Sequence, residues 1–114
     1  MIQLIRDGGP EALWHDMVPK LFTDESRADE RLLHRDPEAL VAAIEAIRDR
    51  ADFTDVAQRY RSRMRFVVGE HENFRSPGEL TEFDVRVIPG AKHLPNLERP
   101  DAFNAELEEF LAGV

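Results

Sequence analysis

The sequence contains no cysteine, and its 15 Lys and Arg residues are outnumbered by 23 Asp and Glu residues, for a net charge of −8. The missing thiols exclude disulfides, thiolate zinc sites and cysteine nucleophiles together. Because nucleic-acid affinity comes from clustered Lys and Arg, we expect no nucleic-acid partner, and a neutral or cationic small ligand fits the acidic balance better.

Long apolar runs and a signal-peptide pattern are also missing. No apolar stretch approaches the roughly 20 residues that span a bilayer, and the first residues lack the basic-then-apolar layout of a secretory signal. We therefore expect a cytoplasmic protein with no membrane partner. At 114 residues the chain can form one small domain with one core.

The first sixty residues are predicted to be helical. Pro10 suits the first position of one helix, which Pro19 should kink or end. Asp36 caps a second helix that Pro37 opens. The predicted apolar stripe of that second helix consists of Leu40, Ala43, Ile44 and Ile47. Residues 1–60 are thus interpreted as a helical, cap-like segment.

From Met64 onward the hydrophobic period changes to two, which indicates strands. Two short strands are expected, around Phe66 and around Val87, each carrying an arginine on one face. A last helix should begin at Pro100 and end at Gly113. Its predicted buried stripe consists of Phe103, Leu107, Phe110 and Leu111. Residues 61–114 form this core segment, in one compact unit with the helices.

A sheet of two strands is marginal on its own and leaves free edges. Another polypeptide should cover or extend them, and a second copy of the chain is the simplest candidate. We therefore expect a homo-oligomer, most simply a dimer. The predicted class is α/β, mostly helical with two short core strands, and completed by oligomerisation.

Two segments carry a family resemblance: "RFVVGEHE" followed by "SP", and "VIPGAKHLPNLERPDAFNAELEEFL". They resemble the C-terminal part of an α/β-hydrolase, in the esterase, enol-lactonase and haloperoxidase-like branches. In that family a strand ends in Gly, here Gly69, and the triad acid follows three residues later, which points to Glu72. The triad histidine lies in a turn after the last strand, upstream of an acidic residue and Pro. That position is His93, with Glu98 and Pro100 downstream.

The resemblance extends over nearly the whole chain, because the helices before residue 50 are similar to the family's helical cap. It implies hydrolysis of esters or lactones by a Ser-His-acid triad, with His93 as general base, Glu72 orienting it, and no cofactor. The nucleophile elbow G-x-S-x-G is missing from the sequence. The serines present are Ser26, Ser62 and Ser76, and none has the strand–turn–helix setting of an elbow.

Three further features differ from the family pattern. The acid is Glu rather than the commoner Asp, so the side chain is one methylene longer. Only "GELTEFD" separates Pro77 from Val85, so the family's helix at this place is truncated or gone. Arg65 and Arg86 stand where the family has aliphatic residues, which is what a sheet face left uncovered by that helix would tolerate.

Simpler interpretations remain beside the triad. His93 could be a turn histidine bonded to a backbone carbonyl. "GEHE" invites a metal hypothesis, but adjacent residues in an extended segment point to opposite sides.

Two functions follow. The chain could be the His- and acid-bearing part of a hydrolase whose N-terminal half, with the serine, is supplied elsewhere, which leaves this chain inactive alone. Alternatively, it is a non-catalytic, oligomeric binding or assembly protein derived from a hydrolase.

Overall fold

The computed structural model describes residues 1–75 and 77–114, and shows a mostly helical chain around a two-stranded parallel sheet. The strands pair from Arg65 opposite Asp84 to Gly69 opposite Ile88. As predicted, the strands are short and most of the chain is helical. The elements are α1 (Ile2–Leu21), α2 (Pro37–Arg48), α3 (Thr54–Tyr60), β1 (Arg65–Gly69), β2 (Asp84–Ile88), α4 (Pro95–Glu98) and α5 (Pro100–Ala112).

Helix α1 consists of two arms that meet at Gly9. This residue has φ of +68°, which glycine tolerates and which interrupts the helical path. Pro10 then opens the second arm, as predicted. The prediction for Pro19 was wrong, since the helix continues through it to Leu21. Only two residues follow Pro19 in α1, so the missing N–H removes a single hydrogen bond from the last turn.

Helix α2 begins as predicted, with the Asp36 carboxylate accepting a hydrogen bond of 3.2 Å from the Ala39 N–H. The face that packs inward agrees only in part with the predicted stripe, since Leu40 and Ile44 are half-buried and Ala43 is exposed. Val41 is buried, whereas Ile47 is 58% exposed. Helix α2 packs mainly on α1.

The arginines of the two strands lie beneath α5, which corrects the expectation that they occupy an uncovered face. Arg65, with a side chain only 11% exposed, bonds Asp84 at 2.7 Å and the Glu106 carbonyl at 3.2 Å. Its guanidinium also lies 3.3 Å from the carboxylate of Glu109. Arg86 reaches Asp84 at 3.1 Å. The carboxylates that pair with the arginines on this face of the sheet come from α5 and from β2.

The predicted stripe of α5 is only partly buried. Phe103 and Phe110 are half-buried against the rest of the chain. Leu107 and Leu111, however, are 41% and 55% exposed. Helix α5 therefore contacts the sheet with one side and leaves an apolar strip beside it without cover from the described residues. Between β1 and β2 the described residues form only the short 3-10 turn Pro77–Leu80, in agreement with the truncated helix expected there.

The chain exposes more surface than a protein of its mass that folds alone. Its accessible surface is 8103 Å², against about 6,400 Å² expected for a compact monomer. Its radius of gyration is 16.3 Å, against about 13 Å expected. The buried apolar core among the described residues consists of Ile5, Val18, Phe22, Val41, Leu80, Ile88 and Ala91. None of the helices in the described part of the chain is both long and apolar enough to cross a membrane.

Candidate functional site

The two predicted site residues lie in loops at the same end of the sheet. Parallel strands bring their carboxyl ends to one edge, and Glu72 follows the end of β1 while His93 follows the end of β2. The loops bond to each other directly. The His71 N–H donates to the Ala91 carbonyl at 2.9 Å, and the Glu70 N–H donates to the carbonyl of Ile88 at 2.9 Å.

Gly69 allows the second loop to pass close to the end of β1. A β-carbon at this position would lie 2.0 Å from the carbonyl oxygen of Lys92 and 2.4 Å from that of Ala91, far inside van der Waals contact. The strand-ending glycine that pointed to Glu72 therefore has a packing role as well. It lets the residues just before His93 lie directly against β1.

Glu72 and His93 form a close hydrogen-bonded pair. The Nδ1 atom of His93 lies 2.8 Å from one carboxylate oxygen of Glu72 and 3.0 Å from the other. The Glu72 side chain is 13% exposed and that of His93 is 39% exposed. Phe74 packs its ring edge-to-face on the imidazole, with centroids 4.5 Å apart, and its N–H donates to Glu72 at 2.7 Å. The longer Glu side chain thus reaches the histidine.

The electrostatics of the pair set the tautomer of His93. Burial alone would raise the pKa of the Glu72 carboxyl, but hydrogen bonds from the Phe74 N–H and the His93 ring hold that pKa below its usual value. Glu72 is therefore a carboxylate at neutral pH and can only accept hydrogen bonds. In the neutral form of the ring, Nδ1 must then be the nitrogen that donates to this carboxylate, which leaves a lone pair on Nε2. Such a nitrogen can accept a proton from a hydroxyl.

Glu98 lies beside this pair and is almost fully buried, at 2% exposure. One carboxylate oxygen accepts the Lys92 N–H at 2.9 Å. The other accepts the Thr23 N–H at 2.7 Å and a short hydrogen bond from the Thr23 hydroxyl. Burial would raise the pKa of Glu98, yet these donors together hold it below its usual value. The family resemblance marked Glu98 only as an acid before a proline; its contact with Thr23, 75 residues away in sequence, has no local sequence signal.

The other candidate groups do not join the pair. His71 lies 2.9 Å from the carboxylate of its neighbour Glu70, and both side chains are exposed. No three His, Asp or Glu side chains in residues 1–75 and 77–114 are grouped to hold a metal ion. Ser26 donates to Asp24 at 2.6 Å in an exposed turn. Ser62 lies before β1, at the opposite end of the sheet from Glu72 and His93. Ser76 lies outside the described residues.

Two sizeable clefts lie away from the pair. One of about 930 Å³ is at the amino ends of the strands, beside Arg61, Arg63 and Phe110. Another of about 760 Å³ lies between α2, α3 and the sheet, beside Phe53 and Phe83. Neither cleft is lined by His93 or Glu72, so the size of a cleft does not indicate where the candidate catalytic residues lie. The paired ionisable side chains at the strand ends are the better guide.

Comparison with known proteins supports the fold. A structural study of a thermophilic esterase from Thermogutta terrifontis, with malate bound, contains a chain that superposes with a TM-score of 0.75 at 24% sequence identity. The match covers 98% of this chain and 47% of the esterase chain. No family model and no curated protein matches the sequence. The chain therefore has an esterase-like fold and spans about half the length of the esterase it matches.

Proposed function

We propose that this chain provides the general base and its orienting acid for an ester-hydrolysing site of the serine type, with His93 as the base and Glu72 as the acid. The observation that carries the proposal is the short contact between His93 Nδ1 and the Glu72 carboxylate. Such a carboxylate fixes the tautomer of the histidine and stabilises the imidazolium that forms when Nε2 accepts a proton. The resemblance to α/β-hydrolases, stated from the sequence motifs, assigns the same roles to the same residues.

The nucleophile comes from a polypeptide segment other than the described residues. Ser62 lies before β1, at the amino end of the sheet, and Ser26 donates its hydrogen bond to Asp24 rather than to His93. A serine elbow and the backbone N–H groups that stabilise an oxyanion would have to approach His93 Nε2, which has no hydrogen-bond partner in the described part of the chain. The 39% exposure of His93 leaves room for such a segment.

The substrate class proposed is a carboxylic ester or a lactone. It rests on the family resemblance and on the esterase activity named for the structural neighbour. Ser-His-acid chemistry of this kind proceeds without a cofactor.

Complementation tests the proposal. The full chain is produced joined to a segment that carries a Gly-x-Ser-x-Gly elbow, and hydrolysis of p-nitrophenyl acetate is measured. We expect turnover to fall by at least about ten-thousandfold in His93→Ala, while His71→Ala, in the neighbouring exposed pair, leaves it unchanged. Turnover that persists without His93 would refute the assignment. Turnover by the unjoined chain that depends on His93 would place the nucleophile within it, and Ser76 would then be substituted first.

A second function is favoured by a different observation, the large exposed surface. The excess of about 1,700 Å² over a compact monomer exceeds the ~800 Å² that each partner buries in a standard interface. A non-catalytic protein that assembles with copies of itself would cover this surface and the free strand edges. Analytical ultracentrifugation decides between the two proposals: a stable dimer combined with a joined protein that shows no His93-dependent turnover supports assembly alone.

A further inference from the structure

We propose that Glu98 is a positioning residue, which keeps His93 within hydrogen-bonding distance of Glu72. The position of His93 then depends on how the chain just after α1, at Thr23, packs against the His93 loop. The inference rests on the proposed function of the Glu72–His93 pair and adds a third residue to it. Glu98 touches neither member of the pair, so it acts through the backbone next to His93.

The two carboxylate oxygens of Glu98 bind different parts of the chain. One oxygen binds the N–H of Lys92, the residue immediately before His93, at 2.9 Å. The other binds both the N–H and the hydroxyl of Thr23. Because Glu98 is 2% exposed, water cannot readily replace either bond. The Glu98 side chain is therefore a bridge between the His93 loop and the residues that follow α1.

The His93 loop is held from both sides. On one side Ala91 accepts the His71 N–H at 2.9 Å, and the chain lies against Gly69. On the other side only Glu98 holds the N–H of Lys92 within the described residues. Loss of the Glu98 bond would free the loop to move away from β1, and the imidazole would move away from Glu72.

The last turn of α1 contacts both site loops, at the residue before His93 and at the residue after Glu72. Lys92 donates its ammonium to the Pro19 carbonyl at 2.5 Å, and Asn73 donates its amide to the Lys20 carbonyl at 3.3 Å. Lys92 precedes His93, and Asn73 follows Glu72. These two contacts are made by exposed side chains, whereas the bridge through Glu98 is buried. Glu98 is therefore the contact that fixes the His93 loop most rigidly relative to the end of α1.

Glu98→Gln is the sharpest perturbation, because all backbone partners of this carboxylate are donors. A glutamine keeps the shape but has a single acceptor oxygen, so its NH₂ must face the N–H of either Lys92 or Thr23. One half of the bridge is lost. Thr23→Val is the milder variant, since it removes the hydroxyl and keeps the Thr23 N–H. Val41→Ala, in the buried part of α2, is the control for general destabilisation.

The readout is nuclear magnetic resonance of the full chain, which reports the His93 Nδ1 proton and the Lys92 amide separately from global stability. We expect solvent exchange of the His93 Nδ1 proton to accelerate at least tenfold in Glu98→Gln and at least twofold in Thr23→Val, with no change in Val41→Ala beyond its global effect. Unchanged exchange in a folded Glu98→Gln protein would overturn the proposal. Should that variant not fold, unchanged exchange in Thr23→Val would overturn it.

The same spectra separate this proposal from the proposed function. A wild-type chain whose His93 carries no proton on Nδ1 contradicts the acid–base pair itself. A wild-type chain with that proton, whose exchange the two bridge variants leave unchanged, contradicts only the positioning role of Glu98.

Discussion

Replacing Gly69 by alanine tests how closely the His93 loop packs on the end of β1. The added β-carbon would lie 2.0 Å from the carbonyl oxygen of Lys92, which is a backbone atom, so no flexible side chain can rotate away to relieve the contact. The loop must shift by more than an ångström to restore contact. Overpacking of this kind costs about 1–3 kcal/mol, and we expect the upper part of that range, because the Glu98 bridge resists the shift.

The assay is urea and thermal unfolding followed by circular dichroism. A loss of about 2–3 kcal/mol corresponds to a midpoint lowered by roughly 8–12 °C for a domain of this size. Gly113→Ala is the matched control: its β-carbon would lie 3.6 Å from the Phe110 carbonyl oxygen, in ordinary contact, and should change stability by less than about 0.5 kcal/mol. Equal stability of the two variants would refute the close approach at Gly69.

Three other predictions address charge and surface. The folded-state pKa of Glu98 lies below its ordinary value of 4.5, so its ionised form stabilises the fold above pH 4.5, and this contribution is lost as the pH falls through the folded pKa. The unfolding midpoint of Glu98→Gln should therefore depend less on pH below 4.5 than that of the wild-type chain, and an equal dependence would contradict this. Arg65→Met should lower the thermal midpoint by several degrees more than Arg86→Met, since the Arg65 side chain is 11% exposed and that of Arg86 is 38% exposed; the reverse order in a thermal scan would be inconsistent with the arrangement under α5. Leu111→Gln should change the unfolding free energy in urea by less than about 0.5 kcal/mol, because Leu111 is 55% exposed; a loss above about 1 kcal/mol would show that this strip is covered in solution.

The elements with local signals could be predicted from the sequence. The Asp36 cap with its adjacent proline marks the start of α2, and the change of hydrophobic period at Met64 marks β1. The two site residues could be named because the strand-end glycine and the histidine in a Gly- and Pro-rich turn are local patterns that carry the family resemblance. The structure brings them within 2.8 Å, while their catalytic role stays a prediction.

The sequence could not indicate which apolar and charged faces meet, because that depends on contacts between distant residues. Leu107 and Ile47 have the spacing of buried residues, yet they remain exposed because nothing in the described chain covers them. The position of Arg65 under α5 depends on carboxylates about forty residues downstream. The bridge from Glu98 to Thr23 is of the same kind, since its two ends are far apart in sequence.

The most direct test of the acid–base pair is the tautomer of His93, read from the ¹⁵N resonances of its ring in the full chain. We predict that the neutral ring carries its proton on Nδ1, with Nε2 unprotonated, and that Glu72→Gln removes this preference because a neutral amide no longer enforces it. A proton on Nε2 in the wild-type protein, or a tautomer that Glu72→Gln leaves unchanged, would contradict the assignment of His93 as a base oriented by Glu72.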